Sequence, residues 1–218
     1  MQFSKSAKIF MFFIAILAWL ALIFQLYILL KNAETNGLTL LVATWNFFSY
    51  FTILTNLLVA VSLSFILLVP GSSLASFFSK PTTFAAVALY IFIVGLIYNT
   101  ILRFIWQPKG LQKWIDEALH AGVPVLFVLF WLLFVSKGSL KWTYPFRWLL
   151  YPAVYLLYAL SRGALSGFYA YPFINVNQLG YNRVLVNAGA LMLVFIITGF
   201  LFVGADKIMS RSKSQAFS

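Results

Sequence analysis

Residues 9–30 run for 22 positions without one charged side chain, and the chain repeats the pattern at 45–69, 83–102, 118–135 and 184–205. A bilayer core of about 30 Å is crossed by roughly 20 apolar residues in a helix rising about 1.5 Å each. Hydrocarbon offers nothing to an unbonded peptide group, so such a stretch satisfies its backbone within a helix and turns its side chains to lipid or to other helices. With 63% of 218 residues hydrophobic and 9% charged, too little polar surface exists to coat a water-soluble globule. A sixth apolar segment, 144–161, carries Pro145, Arg147 and Pro152, which predict a short or bent helix. The expectation is an all-α polytopic membrane bundle of six transmembrane helices, at about 9–30, 45–69, 83–103, 115–135, 144–161 and 184–205, forming one domain over 1–218. Lys5 and Lys8 ahead of the first run imitate a signal peptide. The run is longer than the apolar segment of about 7–15 residues that such a peptide carries, so it reads as an uncleaved span.

Charge sets the orientation. Fifteen bases against four acids give +11, and with six spans nine of the bases fall on the side of the termini and six opposite. Cytoplasmic loops hold the excess of Lys and Arg, which places both termini in the cytoplasm. Trp45, Trp106 and Trp114 fall at the outer span boundaries and Trp142 and Trp148 at the inner ones, the depth at which amphipathic rings settle. No basic stripe with interleaved aromatics lies outside the apolar runs, so nucleic acid is not an expected partner. The chain has no cysteine and a single histidine, which removes thiolate zinc sites, iron–sulfur clusters and bis-histidine haem, and no metal or cofactor is expected.

The polar residues are distributed unevenly between the two membrane faces. On span 2, Ser49, Thr52, Thr55 and Asn56 follow i, i+3, i+4 spacing and line one face of its first turns, with only Ser62 and Ser64 further along. Asn99, Thr100 and Arg103 close span 3, and Asp116, Glu117 and His120 open span 4. Ser161, Arg162, Tyr181, Asn182, Arg183 and Asn187 add to the same face from spans 5 and 6. Unpaired polar groups are costly in hydrocarbon, so the cluster should point inward. The plainest reading is structural. Ser, Thr and Asn serve as interhelical bonds worth about 0.6 kcal/mol each, Arg103 and Arg162 reach headgroups or pair with Asp116 and Glu117, and a lone histidine packs.

A chemical reading needs a hydroxyl, a base and an orienting acid. His120 lies four residues after Asp116, so the carboxylate is placed to fix the ring's tautomer. Pro124 lies four residues after His120 and removes the amide that would bond the His120 carbonyl, which predicts a kink. Irregular helix at membrane depth lines cavities. Thr52 or Thr55 offers the nucleophile.

The run Ser49-Tyr50-Phe51-Thr52-Ile53-Leu54-Thr55-Asn56, together with Leu119-His120-Ala121-Gly122-Val123-Pro124, resembles motifs of the androgen-induced membrane protein family. Members of that family are multi-span threonine hydrolases of fatty acid esters of hydroxy fatty acids. The whole chain resembles their bacterial six-span relatives, through Trp106-Gln107-Pro108, the stretch from Arg162-Gly163 to Tyr171-Pro172-Phe173, and Leu179-Gly180-Tyr181 with Asn187. The resemblance implies Thr52 as nucleophile, His120 as base and a bacterial inner-membrane location. Leu119 and Ala121 stand where the better-known members have a polar residue and a threonine.

The resulting expectation is an intramembrane hydrolase of long-chain or branched fatty acid esters that needs no cofactor. Asn56 or Asn99 would donate to the oxyanion, and Arg103 or Arg162 would hold a lipid carboxylate. Two rivals remain. A transporter would extend polar groups through both membrane halves, and a lipid binder without hydrolytic activity would have no use for Thr52.

Overall fold

The computed structural model describes residues 3–215, with side chains described through residue 211. It is helical, with no strand among the described residues. Five helices are long and apolar enough to cross a membrane: Lys5–Lys31, Phe51–Leu68, Pro81–Phe104, Leu111–Phe134 and Val176–Arg211. The protein is therefore an integral membrane protein in its physical character. The chain divides into two compact units, Met1–Ser136 and Lys137–Ser218.

In the first unit, α1 (Lys5–Lys31) starts where the Ser4 hydroxyl accepts from the Ala7 amide. Its buried positions include Ala7, Met11, Ile14, Ala18 and Ala21, a 3-4 spacing that makes one narrow stripe. The small residues in that stripe let another backbone come close, and α1 packs along α3 (Phe51–Leu68). The opposite flank, with Ile9, Phe13, Leu20 and Ile23, is exposed as a lipid-facing surface is. A short helix α2 (Leu40–Phe47), capped by Thr39, precedes α3.

The expected span at 45–69 is not one helix. The helix breaks between Phe47 and Phe51, so α3 alone is long enough to cross, and Ser49 stands outside the helical face that carries Thr52, Thr55 and Asn56. α4 (Ser73–Phe78) links to α5 (Pro81–Thr100), where Pro81 occupies the first turn, the one place that needs no proline amide. A single 3-10 turn, Leu102–Phe104, extends α5. α6 (Leu111–Glu117), a π-helical turn (Ala118–Gly122) and α7 (Val123–Phe134) then follow without interruption.

In the second unit, α8 (Tyr144–Trp148) and α9 (Leu150–Ser166) replace the expected helix at 144–161. Pro152 has no amide to give the Trp148 carbonyl and its ring crowds that turn, which is where α8 ends. The break leaves this segment out of the five long helices. α10 (Val176–Gln215) is interrupted at Gly180, whose φ of 73° and ψ of 160° are open to glycine but not to a residue with a Cβ. α10 packs tightly on α8 at Gly199, where an added Cβ would lie 2.9 Å from Pro145 Cβ. The buried Asp206 carboxylate accepts from the Leu140 amide at 3.1 Å.

Candidate active site

The π turn is the local origin of the site. In a regular helix the Leu119 carbonyl would accept from the Val123 amide, and the His120 carbonyl from the amide of residue 124. The Val123 amide instead reaches back five residues to the Ala118 carbonyl, and residue 124 is proline. Both carbonyls thus lose those partners at a depth where an unbonded carbonyl is costly. Two asparagines from neighbouring helices replace them. Asn56 Nδ2 donates to the Leu119 carbonyl at 3.1 Å and Asn99 Nδ2 to the His120 carbonyl at 3.3 Å.

Each asparagine spends its second amide proton on its own helix, Asn56 on the Thr52 carbonyl at 2.9 Å and Asn99 on the Gly95 carbonyl at 2.7 Å. In the structure both protons of each amide thus meet backbone carbonyls. The approach of α5 depends on Gly95. A Cβ there would lie 3.1 Å from both the His120 carbonyl oxygen and Pro124 Cβ.

This bulge turns His120 toward α3. Nε2 of the ring lies 3.3 Å from the Thr52 hydroxyl, and both residues are buried. Nδ1 lies 2.9 Å from the backbone carbonyl of Asp116. A carbonyl only accepts, so Nδ1 carries the proton and Nε2 presents its lone pair to Thr52. Asp116 thus holds Nδ1 through its backbone, while its carboxylate Oδ1 stands 3.6 Å from Nδ1. The other carboxylate oxygen, Oδ2, accepts from the Tyr98 hydroxyl at 2.5 Å. Thr55, the alternative hydroxyl, is fully buried three residues further along α3.

Tyr98 was not legible beforehand. Tyrosine directly before Asn99 at the end of a span carries little signal in a chain that is 19% aromatic. In the structure its ring lies nearly parallel to the imidazole, with centroids 4.0 Å apart and planes 16° apart.

Arg103 and Glu117 flank the cluster. The guanidinium meets the carboxylate in a two-point pair at 2.6 and 2.7 Å, and its Nε donates to Asn99 Oδ1 at 3.0 Å. The pairing weighed from the sequence thus engages Glu117 and not Asp116. Arg162 lies in the second unit, buried, with its guanidinium over the Phe168 ring at 4.5 Å. Among the described residues no three His, Cys, Asp or Glu side chains come together as a metal cradle requires.

The first unit thus assembles Thr52, His120 and Asp116, the sequence-derived hydroxyl, base and acid, with Asn56, Asn99 and Arg103 around them. Comparison with protein-family models, with curated proteins and with solved structures gives no significant match.

Proposed function

We propose that the protein is an intramembrane ester hydrolase acting on long-chain or branched fatty acid esters, with Thr52 as nucleophile and His120 as base. The observation that carries this reading is the 3.3 Å approach of the Thr52 hydroxyl to an imidazole nitrogen whose partner nitrogen is already committed to a carbonyl. As Thr52 Oγ1 bonds to the ester carbonyl carbon, its proton passes to Nε2. The tetrahedral intermediate collapses with cleavage of the ester C–O bond, and the imidazolium protonates the departing alkoxide to give the alcohol. A water molecule, deprotonated in turn by His120, attacks the acyl-threonine. It releases the carboxylic acid and restores the Thr52 hydroxyl.

The imidazolium formed in each half-reaction has the Asp116 carboxylate 3.6 Å away. Thr52 stands in the first turn of α3, so the positive end of that helix dipole lies beside the developing oxyanion. Arg103 keeps N–H donors beyond the three used by Glu117 and Asn99, and would hold an anionic end of the lipid. The likeness of residues 49–56 and 119–124 to the androgen-induced membrane protein family supports the same assignment.

An acylating fluorophosphonate applied to the purified protein should leave an adduct on Thr52 found by peptide mass spectrometry. The adduct should be lost in Thr52→Ala and reduced at least a hundredfold in His120→Ala, the scale on which removal of a general base acts. Labelling that is absent from Thr52, or indifferent to His120→Ala, would leave a lipid binder as the better reading.

The proposal extends to topology. On this reading α8 and the 17-residue α9 together form a broken sixth crossing; an even number of crossings keeps both termini on one side, and the excess of Lys and Arg there makes it the cytoplasmic side of a bacterial inner membrane. Because the chain has no cysteine, single cysteines placed at Gly71, Lys109 and Lys207 report their sides without background. In intact cells an impermeant maleimide should label the second alone; labelling of Lys207→Cys would mean five crossings.

A further inference from the structure

The hydrolase reading gives Tyr98 no part, yet Tyr98 makes two separate contacts with the groups that define it. The ring covers one face of His120, and the hydroxyl takes Oδ2 of Asp116. Only 3% of the residue is exposed, and the guanidinium of Arg103 lies 5.1 Å from the ring centroid, itself tied to Glu117 and Asn99. A tyrosine at this depth needs a partner for its hydroxyl, and a backbone carbonyl would satisfy that need at less cost than a carboxylate beside a histidine.

The consequence lies in what the carboxylate does not do. Asp116 is close enough to His120 to form a charged pair, but Oδ1 stops at 3.6 Å while the backbone carbonyl holds Nδ1 at 2.9 Å. A carboxylate hydrogen-bonded by a phenol is a weaker acceptor and a more diffuse charge than a bare one. We propose that Tyr98 is a positioning residue for His120, its ring fixing the imidazole plane toward Thr52 and its hydroxyl holding the Asp116 carboxylate off Nδ1. His120 then rests as a neutral base, with a counter-charge in reserve for the moment it takes the Thr52 proton.

The charged and titratable groups that bear on His120 are Asp116 and Glu117 from its own segment and Tyr98 and Arg103 from α5. From α3, Thr52 and Asn56 reach its turn, and the α1 side chain nearest that turn's Gly122 is Leu17; none of these carries charge. Loss of the phenol hydroxyl alone therefore has one direction. The carboxylate is released to Nδ1, the imidazolium is favoured, and more alkaline solution is needed to free the base.

The inference rests on the hydrolase reading for its rate and stands apart from it for its structural claim, because His120 is the only histidine. In protein labelled with 15N-histidine, the single imidazole gives its tautomer and titration directly by NMR. Wild type should show the Nδ1–H tautomer. Tyr98→Phe, which keeps the ring, should move the His120 titration and the rising limb of Thr52 acylation to higher pH together. Tyr98→Leu should lower acylation about tenfold or more at every pH, as misplaced reacting groups do. An unshifted titration in folded Tyr98→Phe overturns the positioning role. If that titration shifts while Thr52 never acylates, Tyr98 keeps its role and the hydrolase reading fails.

Discussion

The contact between α5 and the α6–α7 segment has two ends built on opposite principles. At one end Phe84 stacks on Phe127 with centroids 4.9 Å apart and on Phe130 at 5.3 Å, and all three rings are fully or almost fully buried. Phe3 and Phe10 add tilted and edge contacts to the same group. Both helices keep the regular α register there. At the other end the aromatic filling gives way to Gly95, Asn99, Tyr98, Asp116 and His120, and one helix has left the α register.

The difference shows why the polar groups gather where they do. Rings hold helices together by shape and dispersion and demand regular backbone behind them, whereas a π turn displaces carbonyls and so demands polar neighbours. Once those neighbours are present, a hydroxyl, an imidazole and a carboxylate can be buried beside them with their bonding satisfied. π turns recur at functional sites in general.

The comparison is broken most severely at the aromatic end. Phe84→Ala should cost about 3 kcal/mol, the lower end for such a truncation because the surrounding solvent is itself apolar, and should appear as a lower unfolding temperature in detergent micelles. Acylation of Thr52, measured where the variant is still folded, should be nearly unchanged. A matching loss of reactivity would mean that the two ends do not act independently. Asn99→Ala should do the reverse. Loss of the bonds to the His120 and Gly95 carbonyls costs about 1 kcal/mol of stability, while displacement of the bulge lowers Thr52 acylation about tenfold to a hundredfold.

Much of this organisation is legible in the sequence. Uncharged runs of bilayer length announce the long helices, since nothing else satisfies a backbone in lipid. The collection of Thr52, Asn56, Asn99, Arg103, Asp116 and His120 toward one face follows from counting crossings, and the structure brings these six together in the first unit. Pro124 marks irregularity near His120, and Pro152 marks the broken helix of the second unit.

Other features depend on contacts between residues far apart in the chain. The break before Phe51, the π turn, the use of two asparagines as backbone caps and the two-sided placement of Tyr98 have no local signature. A sequence states which residues share a helix, but not the register in which two helices meet. Hydropathy and spacing by themselves determined an all-helical membrane protein, because a backbone in hydrocarbon satisfies its peptide groups only within helices. That the Thr52 hydroxyl faces Nε2, that Nδ1 bonds a carbonyl and that Asp116 answers first to a tyrosine were decided only by packing. Those choices turn on ångström-scale placement of side chains from separate helices, and no one segment contains that information.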